Sequence, residues 1–135
     1  MKGIKMNNEA NRITLFWLTT AVGAVLFVTL QLFFFLNDYV IAKGQGPAIT
    51  FDTNTLWMFS AYYGIWIVTV LMTLIGTTKA QWLALIIGGL LVALNTLGGI
   101  FDGIRDGAHV AFSALFFITL PGVCAIVATW RALTK

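Results

Sequence analysis

The chain has 135 residues, 59% hydrophobic and only 10% charged, with a mean hydropathy of +0.91 and a net charge of +3. Soluble domains carry about 25% charged residues, so there is too little polar surface to coat a globule in water, and the length fits one domain. The basic residues are too scattered for a nucleic-acid interface, and a lone cysteine, Cys124, excludes an intrachain disulfide or a cysteine-based metal cluster.

In chain order, Lys2, Lys5 and Arg12 precede a first apolar run, Ile13–Leu36. It is longer than the roughly 7–15 residues of a signal-peptide core, and Phe33-Phe34-Phe35-Leu36-Asn37-Asp38 offers no small-x-small cleavage site, so a retained helix is expected. The second run is Thr55–Gly76, the third Trp82–Phe101 and the fourth Ala108–Trp130. About 20 helical residues cross a hydrocarbon core of about 30 Å, and each run is that long. Lipid offers no partner to a free backbone group, so only a helix, which closes its own hydrogen bonds, suits such a segment. The expected fold is all-α: an integral membrane four-helix bundle of two antiparallel hairpins, one domain over 1–135.

Short connections, Thr77–Gln81 and Asp102–Gly107, favour neighbouring helices packing as hairpins. The longer Asn37–Asn54 segment, broken by Gly44, Gly46 and Pro47, is expected to cap one mouth. Lys2, Lys5, Arg12, Lys79, Arg131 and Lys135 fall on one side and only Lys43 and Arg105 on the other, which puts both termini in the cytoplasm. The basic inner face suits a bacterial cytoplasmic (inner) membrane. Trp17, Tyr39, Trp57, Trp82 and Trp130 lie near helix ends, as interfacial aromatics do. Cys124 is expected to be a small buried hydrophobe.

Water cannot drive helix association inside lipid, so small residues that allow close approach matter. Gly88, Gly89, Gly98 and Gly99 of the third helix are the candidate packing positions. Gly103 and Gly107 extend a four-residue period, but Asp102-Gly103 and Asp106-Gly107 are ordinary turn dipeptides, and the turn is the simpler expectation. Pro121 removes a backbone donor and leaves the Phe117 carbonyl without its helical partner, which predicts a kink in the fourth helix.

Helical spacing gathers the polar residues. Gln31 and Asp38 share a face of the first helix, and Asn95, Gly99 and Asp102 one of the third. His109 and Ser113 stand four apart on the fourth, with Tyr62 and Tyr63 at similar depth. Polar groups at membrane depth are costly and invite a functional reading. An outward-opening pocket of Gln31, Asp38, Asn95, Asp102, Asp106 and His109 is therefore the candidate ligand site. Asp102, Asp106 and His109 would suit a divalent cation. The alternative is capping, with Asp106 as N-cap of the fourth helix, Asp102 ending the preceding turn and Arg105 pairing at the surface. Asn95 doubles as interhelical hydrogen-bonding glue.

No phosphate loop, nucleophile elbow or zinc-helix motif occurs, no residue signature points to a family, and no cofactor is implied. Three functional classes follow. The first is a non-enzymatic subunit or homo-oligomer, in contact with membrane lipid or part of a larger membrane complex, that binds a partner or ligand between its helices. The others are a transporter or channel component for a cation or small solute, and a small metal-dependent membrane enzyme.

Overall fold

The structure, a computed structural model, describes residues 2–43 and 52–135, with side chains from residue 8 onward. Among the described residues the fold is entirely helical. Helix α1 is Lys2–Ile41, α2 is Thr53–Ile75 and α3 is Thr78–Asp106. The fourth rod combines α4 (Ala108–Ala114), a π-helical turn (Leu115–Thr119) and α5 (Leu120–Leu133). Four stretches are long and apolar enough to cross a membrane: Asn8–Ile41, Thr53–Ile75, Thr78–Asp106 and Ala108–Leu133. Gly44, Gly46 and Pro47, and with them residues 44–51 of the expected cap, lie outside the described residues, while Asn37–Ile41 belong to α1 and Thr53 and Asn54 to α2.

Local chemistry sets the boundaries. The Asp52 side chain caps α2 by accepting from Thr55 N at 2.9 Å. Gly76, with φ of 71°, ends α2 in the left-handed conformation that glycine adopts at no steric cost. Thr77 caps α3 at once, its Oγ1 accepting from Ala80 N at 3.3 Å. The α2–α3 connection is therefore only Gly76-Thr77. The α3–α4 connection is Gly107 alone, with φ of 120°.

Two expectations fail at that second corner. Asp102-Gly103 is not a turn, because α3 continues through Asp106. Gly103 lies buried on α3 where a Cβ would run into Ala111, so it belongs to a packing seam with Gly99, which meets Ala114 in the same way. Asp106 does not cap α4 either. The cap position is Gly107, which offers no side chain, and the Asp106 carboxylate is taken by Arg105.

Helix α1 packs on α2 and on the fourth rod, and α3 packs on the same two. Inter-helix bonds tie the interior at several levels. Thr73 Oγ1 donates to Thr14 Oγ1 at 2.9 Å, Trp17 Nε1 to Thr129 Oγ1 at 3.0 Å, and Thr96 and Thr119 share a hydroxyl bond of 2.7 Å. The buried core includes Ile13, Trp17, Ala24, Phe27, Trp66, Leu91, Val92, Ala114 and Ile118. The outward faces carry exposed leucine, isoleucine, valine and phenylalanine, the arrangement expected when lipid rather than water surrounds the bundle.

Packing corrects three further readings. Trp17 is not interfacial: it is fully buried, with its indole against Gly88, and a Cβ on Gly88 would overlap the ring. Tyr39, Trp57, Trp82 and Trp130 are exposed, and Trp82 meets Trp130 edge-on at 5.7 Å. Cys124 is exposed rather than buried. Of the nominated packing glycines, Gly88 and Gly99 lie where another helix presses close, whereas a Cβ on Gly89 would make only ordinary contact and one on Gly98 would meet nothing within 4 Å.

Pro121 acts through the turn before it. Its ring would clash with the Phe117 carbonyl in a regular α-helix. The chain instead widens into the π turn, where Leu120 N donates to Leu115 O, five residues back. The Thr119 hydroxyl adds a 3.4 Å bond to Ala114 O.

Candidate functional site

One end of the bundle carries Asp38, Asp102, Asp106 and His109, and the other carries Arg12, Lys79 and Arg131. At the acidic end α1, α3 and α4 diverge around a cleft of about 510 Å³, lined by Gln31, Phe34, Phe35, Asp38, Asp102, Arg105, Asp106, His109 and Val110. A second cleft of about 360 Å³ opens between α1, α2 and α3, with Phe27, Gln31, Phe59, Tyr62, Asn95, Gly98 and Asp102 in its wall. Gln31 and Asp102 line both. The spacing that placed each polar residue on a helix face thus brings five of the six together in one cleft. Asn95, the sixth, lies in the adjoining one.

The two clefts meet at a hydrogen bond from Gln31 Nε2 to Asp102 Oδ2, 3.1 Å long. Asp102 also stands 3.5 Å from Arg105 Nη2. Arg105 is engaged more closely by its neighbour: Nε and Nη2 grip the Asp106 carboxylate at 2.8 and 2.7 Å in a two-pronged contact. The guanidinium is largely exposed, so this pair contributes little to folding. It does occupy Asp106. The Asp38 carboxylate has no hydrogen-bond or ion-pair partner among the described residues.

His109 lies against the Phe34 ring, with centroids 4.5 Å apart. The metal expectation for Asp102, Asp106 and His109 is not met: no group of three or more metal-ligating side chains occurs among the described residues. The reason is visible in the contacts. Asp102 faces Gln31, Asp106 faces Arg105, and the imidazole packs on an aromatic ring.

In the deeper cleft, Tyr62 OH donates to Asn95 Oδ1 at 2.5 Å, while Asn95 Nδ2 donates to the Leu91 carbonyl at 2.8 Å. Asn95 therefore ties α2 to α3 and also presents an edge to the cleft. Tyr63 does not line it but stands edge-on to Tyr62 at 5.1 Å. Trp66, one turn from Tyr62 on the same face of α2, is buried, and its Nε1 has no acceptor among the described residues.

Sequence reasoning missed the interior threonines Thr14, Thr73, Thr96 and Thr129, and it missed Gly23. A Cβ on Gly23 would strike the backbone carbonyl of Phe117. The signal was present in Pro121, since a carbonyl deprived of its helical donor needs other company. Chemically, the lining of the acidic-end cleft offers three carboxylates against one permanent cation, with aromatic and aliphatic walls leading inward. That combination suits a group that is positively charged at one end and apolar at the other. No family model matches the chain, and no curated protein or solved structure is detectably similar to it.

Proposed function

We propose that the chain is a non-enzymatic multi-pass membrane protein that binds a ligand or a partner's side chain between its helices at the acidic end. Its helices form two antiparallel hairpins, and both termini face the cytoplasm. The membrane reading rests on the four apolar spans. The orientation rests on the bias of Lys and Arg between the two ends. The binding reading rests on the Gln31–Asp102 hydrogen bond, which joins the clefts into one surface of residues from α1, α3 and α4, continuous with the Tyr62–Asn95 pair.

Binding is favoured over passage of a solute because the bundle is filled beneath the deeper cleft. Ala24, Trp66, Leu91 and Val92 are buried one turn further in, and Trp17 packs on Gly88 below them. Gentle extraction followed by native mass spectrometry tests the reading. The wild-type chain should emerge with a bound small molecule, a partner or a second copy, and Asp38→Asn/Asp102→Asn should lose it. A bare monomer in both cases would remove the proposal.

A further inference from the structure

The opposite end of the bundle holds a third cleft, of about 510 Å³, between α1 and α5. Its floor is almost wholly apolar, formed by Ile13, Phe16, Val123, Val127 and Ala128, and Arg12 and Arg131 stand at its rim. Neither guanidinium has a hydrogen-bond or ion-pair partner among the described residues. The acid at the same rim, Glu9, is engaged by Lys135 Nζ at 2.5 Å, so the mouth keeps a positive balance. The exposed Trp82–Trp130 pair lies at this same end, at the level where interfacial aromatics meet lipid headgroups.

We propose that this groove is a binding site for an anionic phospholipid, its phosphate held by Arg12 and Arg131 and one acyl chain laid along Ile13, Phe16, Val123 and Val127. The inference rests on the membrane reading above, but not on the orientation of the chain or on the acidic-end site. A guanidinium presents paired donors that match a phosphate. Basic pockets between membrane helices bind acidic headgroups. From Val123 to Ala132 the groove follows about 13 Å of helix at 1.5 Å per residue, long enough to hold a stretch of extended hydrocarbon chain. A zwitterionic lipid fills the apolar floor equally well, but its own cation competes for the phosphate that the two arginines address.

The test is native mass spectrometry of the chain released from micelles containing equal amounts of phosphatidylglycerol and phosphatidylcholine. The wild type should retain phosphatidylglycerol roughly tenfold over phosphatidylcholine. Arg12→Gln/Arg131→Gln should bring the ratio near one, and Lys79→Gln, at the same end but outside the groove, should leave it unchanged. Both arginines are exposed, so an unchanged thermal melt shows that the double variant is folded. Cys124 lines the groove, and a bulky maleimide adduct there should also abolish the preference. Equal retention of the two lipids by the wild type would overturn the proposal, as would a preference that survives the double substitution or the adduct. An equal loss in Lys79→Gln would also overturn it by assigning the effect to diffuse surface charge. None of these failures touches the membrane reading, which fails only if alkaline extraction releases the chain from membranes.

Discussion

The backbone carbonyl of Phe117 faces Gly23 of α1 so closely that any side chain on Gly23 would occupy the same space. Pro121, four residues after Phe117, cannot supply the usual helical donor to that carbonyl, and α1 closes over it. A glycine Cα–H set against a carbonyl is a recurrent, weakly favourable contact between packed helices. One proline on the fourth rod and one glycine on the first are thus parts of a single arrangement.

Substitution at Gly23 should therefore be costly. The obstacle is backbone, which cannot rotate away, so Gly23→Ala should destabilise the bundle by about 1–3 kcal/mol, the range for forced overpacking. Gly64→Ala is the control, because nothing lies within 4 Å of its added Cβ. It should be neutral or stabilising by about 0.5–1 kcal/mol through reduced backbone freedom. Denaturation in mixed micelles measures both, and equal effects at the two positions would refute the contact.

The Trp17–Thr129 bond makes a second prediction. Both side chains are fully buried, and Thr129 Oγ1 also donates to the Ala125 carbonyl. Thr129→Val keeps the shape and leaves the indole N–H without an acceptor, which should cost about 1–2 kcal/mol. Membrane-buried hydrogen bonds average nearer 0.6 kcal/mol in double-mutant cycles. Combining Thr129→Val with Trp17→Phe should therefore show a positive coupling of that order, and strictly additive losses would exclude it.

Much of this architecture was legible in the sequence, and the part that was not has a physical reason. The runs Ile13–Leu36 and Trp82–Phe101 were found by apolarity. The helices run on to Ile41 and Asp106 because their ends continue past the apolar stretch, where residues such as Asp102 and Arg105 stay helical without being hydrophobic. The convergence of Gln31 with Asp102 was legible because seven-residue spacing fixes a helix face whatever the solvent. Which apolar face points inward was not. In water the polar face of a helix marks its outside, whereas in lipid both faces are apolar. Hence apolarity alone does not tell the buried Trp17 from an interfacial tryptophan or the exposed Cys124 from a core residue, and it does not separate Gly98 from Gly99, its neighbour in the chain. Gly99 is pressed against Ala114, while Gly98 borders open space in the cleft.

The start of α2 should respond to acid. Hydrogen bonds from the Thr55 hydroxyl and, second, its backbone N–H hold the Asp52 carboxyl below its ordinary value of 3.8. A carboxylate with a depressed folded value contributes stability that is complete above the unfolded value and is lost as pH falls through the folded one. Hydrogen exchange at the Thr55 amide should accelerate, relative to its intrinsic rate, only below about pH 4. Asp52→Asn keeps an acceptor at the cap and should remove that pH dependence, while Asp52→Ala should expose the amide at every pH. Protection that does not change between pH 6 and pH 3 in the wild type would rule out the carboxylate as the cap.

Orientation can be decided with single cysteines placed in a Cys124→Ser background. Asn54 and Asp106 belong to the acidic end, while Lys79 and Thr134 belong to the basic end, beside the Trp82–Trp130 pair and the Glu9–Lys135 ion pair. The four helices in sequence, joined by Gly76-Thr77 and by Gly107, require the first two positions to share one face of the membrane and the last two the other. In the proposed orientation the bias of Lys and Arg toward the second face assigns that face to the cytoplasm. Asn54→Cys and Asp106→Cys should react with a membrane-impermeant maleimide in intact cells, and Lys79→Cys and Thr134→Cys only after permeabilisation. Reversed labelling would invert the chain but keep the acidic clefts together. Labelling of Asn54→Cys and Asp106→Cys from opposite faces would separate α1 from α4 at the Phe34–His109 contact, and the site would no longer exist.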